Sequence, residues 1–248
     1  MNLHTNILFD HWLSALFERK VYKLIIDDDF IGKLHYRESD ENKILRELKV
    51  NPVFLYAKVD SDLVKSFQCL ENSGFKLVDT NVVFEKSSEK THNLSVCNSI
   101  RFSVTGDMNQ VKKLARNNFI YSRFHLDPKV PNELADFIKS AWAENYFKGK
   151  RGDKLIVAEF EGKVVGFLLL IETADIMSID LIAVDRAYTR KGIATDMIDF
   201  AEMNSNCSLI KVGTQIANIP SCCFYEKLGF RIQSSQYVFH YHNISGLE

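Results

Sequence analysis

Apolar and polar positions along the chain alternate between two periods. Runs with strand-like alternation or continuous apolarity cover Val21–Ile26, Val53–Val59, Phe75–Lys86, Lys154–Phe160, Lys163–Glu172, Met177–Val184, Leu209–Gln215 and Tyr237–His242. Helical spacing covers Ile44–Leu48, Asp62–Asn72, Asp107–Asn117, Pro131–Phe147, Ile193–Asn204 and Pro220–Leu228. Strands and helices follow one another in turn, which predicts an α/β fold. The stretch SSEKTHNLSVCNS (Ser87–Ser99) is polar and serine-rich and breaks the pattern. It divides the chain into lobes of residues 1–97 and 98–248.

The two lobes echo one another. Sliding the chain by 155 positions lays SFQCLENSGFKLVDTNVVF (Ser66–Phe84) over SCCFYEKLGFRIQSSQYVF (Ser221–Phe239) without a gap, with Gly74/Gly229, Phe75/Phe230 and Phe84/Phe239 coinciding. Each copy reads as helix, Gly-Phe break, strand. The first has Leu70 where the second has Tyr225. The first lobe therefore keeps the architecture and lacks the chemistry.

At 248 residues, with 46% apolar and 25% charged residues, the chain supports a full core. Its 31 basic and 32 acidic side chains leave a net charge of −1, without the basic surplus of a nucleic-acid binder. No apolar run reaches the roughly 18 residues of a membrane span, and the first residues lack secretory-signal features. Five cysteines without zinc-ligand spacing predict reduced thiols, a cytoplasmic location and no metal site. Adjacent Cys222 and Cys223 read as inert thiols, because no histidine follows nearby to activate them.

Chemistry concentrates in IAVDRAYTRKGIATDMI (Ile182–Ile198), where a buried strand turns through a basic Thr-Arg-Lys-Gly segment into an amphipathic helix. A helix N-terminus carries unpaired N–H groups and the positive end of the macrodipole, so it binds anions. Gly192 permits close backbone approach, while Arg190 and Lys191 add charge at the rim.

This order of parts resembles the GNAT acyl-CoA-dependent N-acetyltransferases from about Ser99 onward. The carrying residues are LIAVD, the turn TRKGIA, and then Asn218, Tyr225, Gly229 and Phe230. Thr189 stands where that family usually has Arg or Gln, and Arg190 replaces a frequent Gly. The resemblance implies a mixed, mostly antiparallel GNAT sheet flanked by helices in the second lobe, and a degenerate GNAT-like first lobe. It also implies that the anion is the coenzyme A pyrophosphate. The cofactor residues would be Ile182, Ala183, Val184, Arg190, Lys191, Gly192, Ile193, Ala194, Thr195, Asn218 and Tyr225.

The segment Tyr121–Asp153 is similar, more narrowly, to the bipartite dTDP-fucosamine (dTDP-4-amino-4,6-dideoxygalactose) acetyltransferase group. Arg123–Phe124, Trp142, Glu144–Asn145 and Gly149 carry that likeness. It implies a nucleotide-linked amino sugar as acceptor for surface polysaccharide, with contacts from Arg123, Phe124, His125, Trp142, Asn145 and Gln215. Arg123 suits a pyrophosphate through bidentate bonds, and Phe124 a base or sugar face. A lobe without chemistry can support a homodimer.

In the implied reaction an amine attacks the thioester of acetyl-CoA directly. Tyr225 is the expected general acid toward the leaving thiolate. Strand alternation places Ser178, Asp180 and Ile182 on one face, making Asp180 the nearest base, with Glu172 or a water chain as rivals. Two other functions remain: a GNAT acting on another small-molecule or peptide amine, and a non-catalytic acyl-CoA-binding module.

Overall fold

The computed structural model describes residues 6–27, 46–88 and 99–244. Ten strands form one mixed sheet: β1 (Ile7–Phe9), β2 (Lys20–Ile25), β3 (Val53–Asp60), β4 (Lys76–Ser87), β5 (Ser99–Phe102), β6 (Lys154–Phe160), β7 (Lys163–Thr173), β8 (Ile176–Val184), β9 (Leu209–Gln215) and β10 (Arg231–Asn243). Among the described residues, six complete α-helices flank it: α1 (His11–Phe17), α2 (Val64–Asn72), α3 (Met108–Asn118), α4 (Asn132–Phe147), α5 (Ile193–Met203) and α6 (Ile219–Lys227). Residues 46–50 are also helical, whereas Ile44 and 89–98 of the serine-rich stretch lie outside the described residues.

Strands Lys154–Phe160 and Leu209–Gln215 have the bounds the apolar pattern predicts. The pattern misses β1, α1 and β5, which are short, and the first half of β10, whose RIQSSQ has no apolar alternation and is held by backbone pairing to β4.

The strand order is β1-β2-β3-β10-β4-β9-β8-β7-β6-β5. Thus β10 lies between β3 and β4, and β4 lies between β10 and β9, all antiparallel. The sequence echo is therefore a structural one. The unit β3–α2–β4 matches β9–α6–β10, and each unit's last strand is inserted beside the other unit. Parallel pairs flank this centre symmetrically, β2 with β3 and β8 with β9.

Alternation along the strands builds two sheet faces. On one face α5 and α6 cover a core of Val82, Phe84, Ile179, Met197 and Phe230, and α2 covers Leu55, Ala57 and Phe239. On the other face α3 and α4 cover Leu155, Phe167, Leu181 and Ala183, while α1 and the start of α4 cover Val21, Phe54 and Phe124. Helix α4 spans both clusters on this second face, with Ala135 and Ile138 in one and Ala143 in the other. Between the two clusters the strands carry polar side chains.

Candidate active site

Two neighbouring strands part at the site. The parallel pairing of β8 with β9 runs from Ile176–Leu209 to Ile179–Val212 and stops there, although both strands continue. The cause lies at Asp180. On the β7 side, Leu170 pairs with Ile179 and Leu169 with Leu181, so Asp180 is an extra residue, a β-bulge. A bulge also shifts the side-chain alternation. Met177 and Ile179 enter the α5 core, but beyond the bulge Leu181 and Ala183 enter the α3–α4 core, and Ile182 packs on the α5 side. The expectation that Ile182 shares a face with Asp180 is thereby corrected.

On the α5 side a cleft of about 800 Å³ lies between the end of β8, the start of α5 and α6. Ile182, Ala183, Val184, Arg190, Gly192, Ile193, Ala194, Thr195 and Tyr225 all line it. Gly192 caps α5 at φ 80°, with no side-chain cap bond, and a Cβ there would meet nothing within 4 Å. The first N–H groups of α5 therefore open on space, the arrangement an anion requires. Arg190, at φ 63°, holds a left-handed conformation that a glycine adopts without strain. Lys191 is exposed and lies with its ammonium 4.9 Å from the Tyr188 ring centroid, outside the lining. Asn218 is also outside it, as the N-cap of α6. Its Oδ1 accepts from the Ser221 N–H at 3.3 Å and its Nδ2 donates to Thr214 Oγ1 at 3.4 Å.

Tyr225 is buried against Phe84, Phe224 and Phe230, and burial pushes its phenol above the usual range. Cys222 has its thiol likewise pushed up by burial, the opposite of an activated nucleophile.

The opposite face of the sheet holds the polar floor. Arg123 lies over the rings of Tyr56 and Phe124, 4.0 and 4.4 Å from their centroids. Its Nη1 reaches His240 Nε2 at 3.3 Å. His240 Nδ1 in turn bonds Asp127 Oδ2 at 2.5 Å, and His242 Nε2 bonds the same oxygen at 2.7 Å. Arg19 Nη2 lies 2.8 Å from His242 Nδ1. The sequence Arg19–His242–Asp127–His240–Arg123 fixes both tautomers, each imidazole donating to Asp127 and accepting from an arginine. Burial lowers the His240 pKa to about 4, which keeps that ring neutral and able to accept. Burial opposes ionisation of Asp127, but the two histidine bonds hold its carboxyl well below the usual range. The three ligand-type atoms lie within 4.8 Å of one another, yet their O–N contacts are hydrogen bonds.

Asp180 accepts from Trp142 Nε1 at 2.8 Å and from Arg151 Nε and Nη2 at 2.7 and 2.6 Å. Three donors commit both oxygens, so the carboxylate orients Trp142 and Arg151. Glu172 is similarly tied to Lys154 at 2.9 Å and Ser205 at 2.7 Å. Gln215 bonds Asp79 across the sheet. His125 joins Ser122 Oγ at 2.6 Å and Asp136 at 3.1 Å, which shapes the loop. Asn145 closes the end of α4, its carbonyl accepting from the Lys150 N–H at 2.8 Å. Phe124 is corrected: at 1% exposure, between Phe17 and Arg123, it has no free face for a base or sugar.

The same floor holds residues the sequence reading passed over. Lys139 projects from α4 with its ammonium 4.8 Å from the Trp142 ring centroid, and burial lowers its pKa to about 8. Lys58 and Asp79 stand on β3 and β4. Their signal was polar residues inside otherwise apolar strands.

Residues 113–230 match the acetyltransferase (GNAT) family, so the chain carries a GNAT acetyltransferase domain. It is 31% identical over 139 residues to the spore coat polysaccharide biosynthesis protein SpsD of Bacillus subtilis (strain 168), over 54% of this chain and 47% of that protein. The match thus spans about half the length of that relative. A functionally unknown conserved protein from Staphylococcus epidermidis shares the fold over 98% of this chain and 94% of its own, with TM-score 0.68 and 13% identity. A tandem GNAT protein from the clavulanic acid biosynthesis pathway does so over 90% and 75%, with TM-score 0.59 and 9% identity. A GCN5-related N-acetyltransferase from Sphaerobacter thermophilus also has TM-score 0.59, at 14% identity over 90% and 72%. Two lobes of GNAT type are the arrangement that fits these neighbours. Among the described residues no helix is long and apolar enough to cross a membrane.

Proposed function

We propose that this protein transfers the acetyl group of acetyl-CoA to the amine of a dTDP-linked amino-dideoxy sugar, in the cytoplasm, for surface polysaccharide. The observation that carries this reading is the parting of β8 from β9 at the Asp180 bulge, with an anion cradle on one face and a cation-rich floor on the other. The N–H groups of Ile193–Thr195, with Arg190 at the rim, would hold the coenzyme A pyrophosphate. The thioester then lies between the strands, beside Tyr225. That phenol is the general acid toward the leaving thiolate.

On the floor, Arg123 and Lys139 suit the two phosphates of a nucleotide, and Trp142 offers an aromatic wall oriented by Asp180. The SpsD likeness supports a polysaccharide context. The lobe division at residue 97 belongs to the same reading.

The test is thiol release from acetyl-CoA with dTDP-4-amino-4,6-dideoxygalactose, comparing wild type with Tyr225→Phe. Release that falls at least about tenfold in the variant, roughly 1.4 kcal/mol of transition-state stabilisation, supports acceptor and acid together. Equal release removes Tyr225 from the mechanism. No release, with acetyl-CoA bound, favours another amine or an acyl-CoA-binding module.

A further inference from the structure

We propose that Asp79, a carboxylate of the first lobe, pairs with the ammonium group of the acceptor and takes its proton. The inference rests on the acceptor side assigned above and adds the missing base to it.

Register places the residue. Asp79 opposes Val238 of β10, which opposes Lys58 of β3, while Asn81 opposes Gln215 of β9. Directly opposed residues share a sheet face. Asp79 therefore shares its face with Lys58, Asn81 and Gln215, one strand away from the parted edge of β9. It is 7% exposed. The Thr80 backbone N–H and the Gln215 side chain bond its carboxylate, and Oδ1 has no partner. No ion pair within 4.0 Å reaches it among the described residues, although Lys58 and Arg123 act on it through space.

Among the described residues, four other candidate bases on this face are occupied. Asp180 has three donors, Asp10 accepts from the Tyr56 hydroxyl and the Leu13 N–H, His125 is held between Ser122 and Asp136, and His240 stands between Arg123 and Asp127. A buried carboxylate oxygen without a donor costs stability unless a ligand supplies one. A primary ammonium, with three N–H groups, is that ligand. Lys58 stands on the same face, two strands away, and favours the ionised form of Asp79 through space. Burial raises the Asp79 pKa to about 6, a value matched to proton uptake near neutrality.

The protons balance. One passes from the ammonium to Asp79 and on to water. The neutral nitrogen forms its bond to the acetyl carbonyl carbon as the carbon–sulfur bond breaks. A second proton leaves nitrogen as the amide forms, offsetting the one Tyr225 gives to sulfur, and the third stays on the amide.

The experiment compares wild type, Asp79→Asn and Asp79→Glu in coenzyme A release with dTDP-amino sugars and a panel of simple amines. Acetyl-CoA affinity is measured in parallel. The expected result is a kcat loss of roughly a hundredfold or more in Asp79→Asn, unchanged acetyl-CoA affinity and partial recovery in Asp79→Glu. The acid limb of the wild-type profile, near pH 6, should vanish in Asp79→Asn. The groups acting on Asp79 that set this limb are the Thr80 N–H, Gln215, Lys58 and Arg123. Turnover of Asp79→Asn within threefold of wild type overturns the proposal. Turnover with simple amines but not with dTDP-amino sugars refutes the acceptor class proposed above, while the same comparison still decides Asp79. Carboxyl carbon NMR gives an acceptor-independent reading. A resonance titrating near 6 and missing from Asp79→Asn supports the proposal, and one at the ordinary value near 3.8 overturns it.

Discussion

The β2–β3 pair and the β8–β9 pair hold equivalent places in the two halves of the sheet, and they differ in one respect. In the first half the ladder runs without interruption from Lys20–Val53 to Ile25–Lys58. In the second it stops at Ile179–Val212, where the Asp180 bulge turns β8 away. The units that follow, β3–α2–β4 and β9–α6–β10, are otherwise alike, down to a Gly at φ 86° after each helix. One copy with Leu70 stays zipped, and the other with Tyr225 opens a cleft. A single inserted residue thus separates a fully paired strand pair from one that parts.

The comparison can be broken or sharpened at five places. The largest effect is expected at Asp127, which joins the zipped half to Arg123. Asp127→Ala leaves His240 and His242 buried without their shared acceptor and should cost about 4 kcal/mol in urea unfolding.

Next, stability should respond to pH in opposite senses at two neighbouring groups. The folded pKa of His240 falls to about 4 from 6.5, so the unfolded chain binds more protons between these values and stability is lost on acidification. The folded pKa of Asp79 rises to about 6 from 3.8, so the folded chain binds more protons and stability is lost as pH rises through 6. Each contributes about 3 kcal/mol at full extent. Asp79→Asn should therefore melt higher than wild type at pH 7 and lose that advantage by pH 4. His240→Asn, with the histidine slope removed, should gain stability on acidification between 6 and 4. Parallel melting curves for the two variants would refute the pair.

At the bulge itself, Asp180→Ala should cost about 2 kcal/mol, because Arg151 and Trp142 lose their acceptor, and it should raise the acceptor KM more than the acetyl-CoA KM. Arg190→Gly should stabilise by about 1 kcal/mol, as glycine relieves the left-handed strain. The smallest effect on acetyl transfer is expected for Leu70→Tyr, a fully buried position where the added bulk costs stability instead. It places a tyrosine beside the zipped pair and should restore none of the acetyl transfer lost in Tyr225→Phe.

Much of this was legible in the sequence. The cradle residues from Ile182 to Thr195 were readable because strand, glycine and helix are local patterns, as was the repeat that aligns Leu70 with Tyr225. The parting of β8 from β9 was not, since pairing is non-local and MSIDLIAV reads as one continuous strand. Asp180 in mid-strand was the available sign of the bulge, and it was read instead as a base. Phe124 was read as a ligand contact because its burial depends on α1, which is too short to announce itself. Asp79 and Asn81 were overlooked in FKLVDTNVVF, where two polar residues two apart on an inner strand mark a lined face.

The interleaving of β4 and β10 has a consequence for how the chain acquires its shape during synthesis. When β3 and β4 leave the ribosome, the slot between them belongs to a strand roughly a hundred and fifty residues further on, so the early half waits with two open edges. The 13-residue β10 is the wedge that closes both halves at once. Until it arrives, the vacancy is a template for the same strand of another copy, and crowding during translation favours exchange between chains.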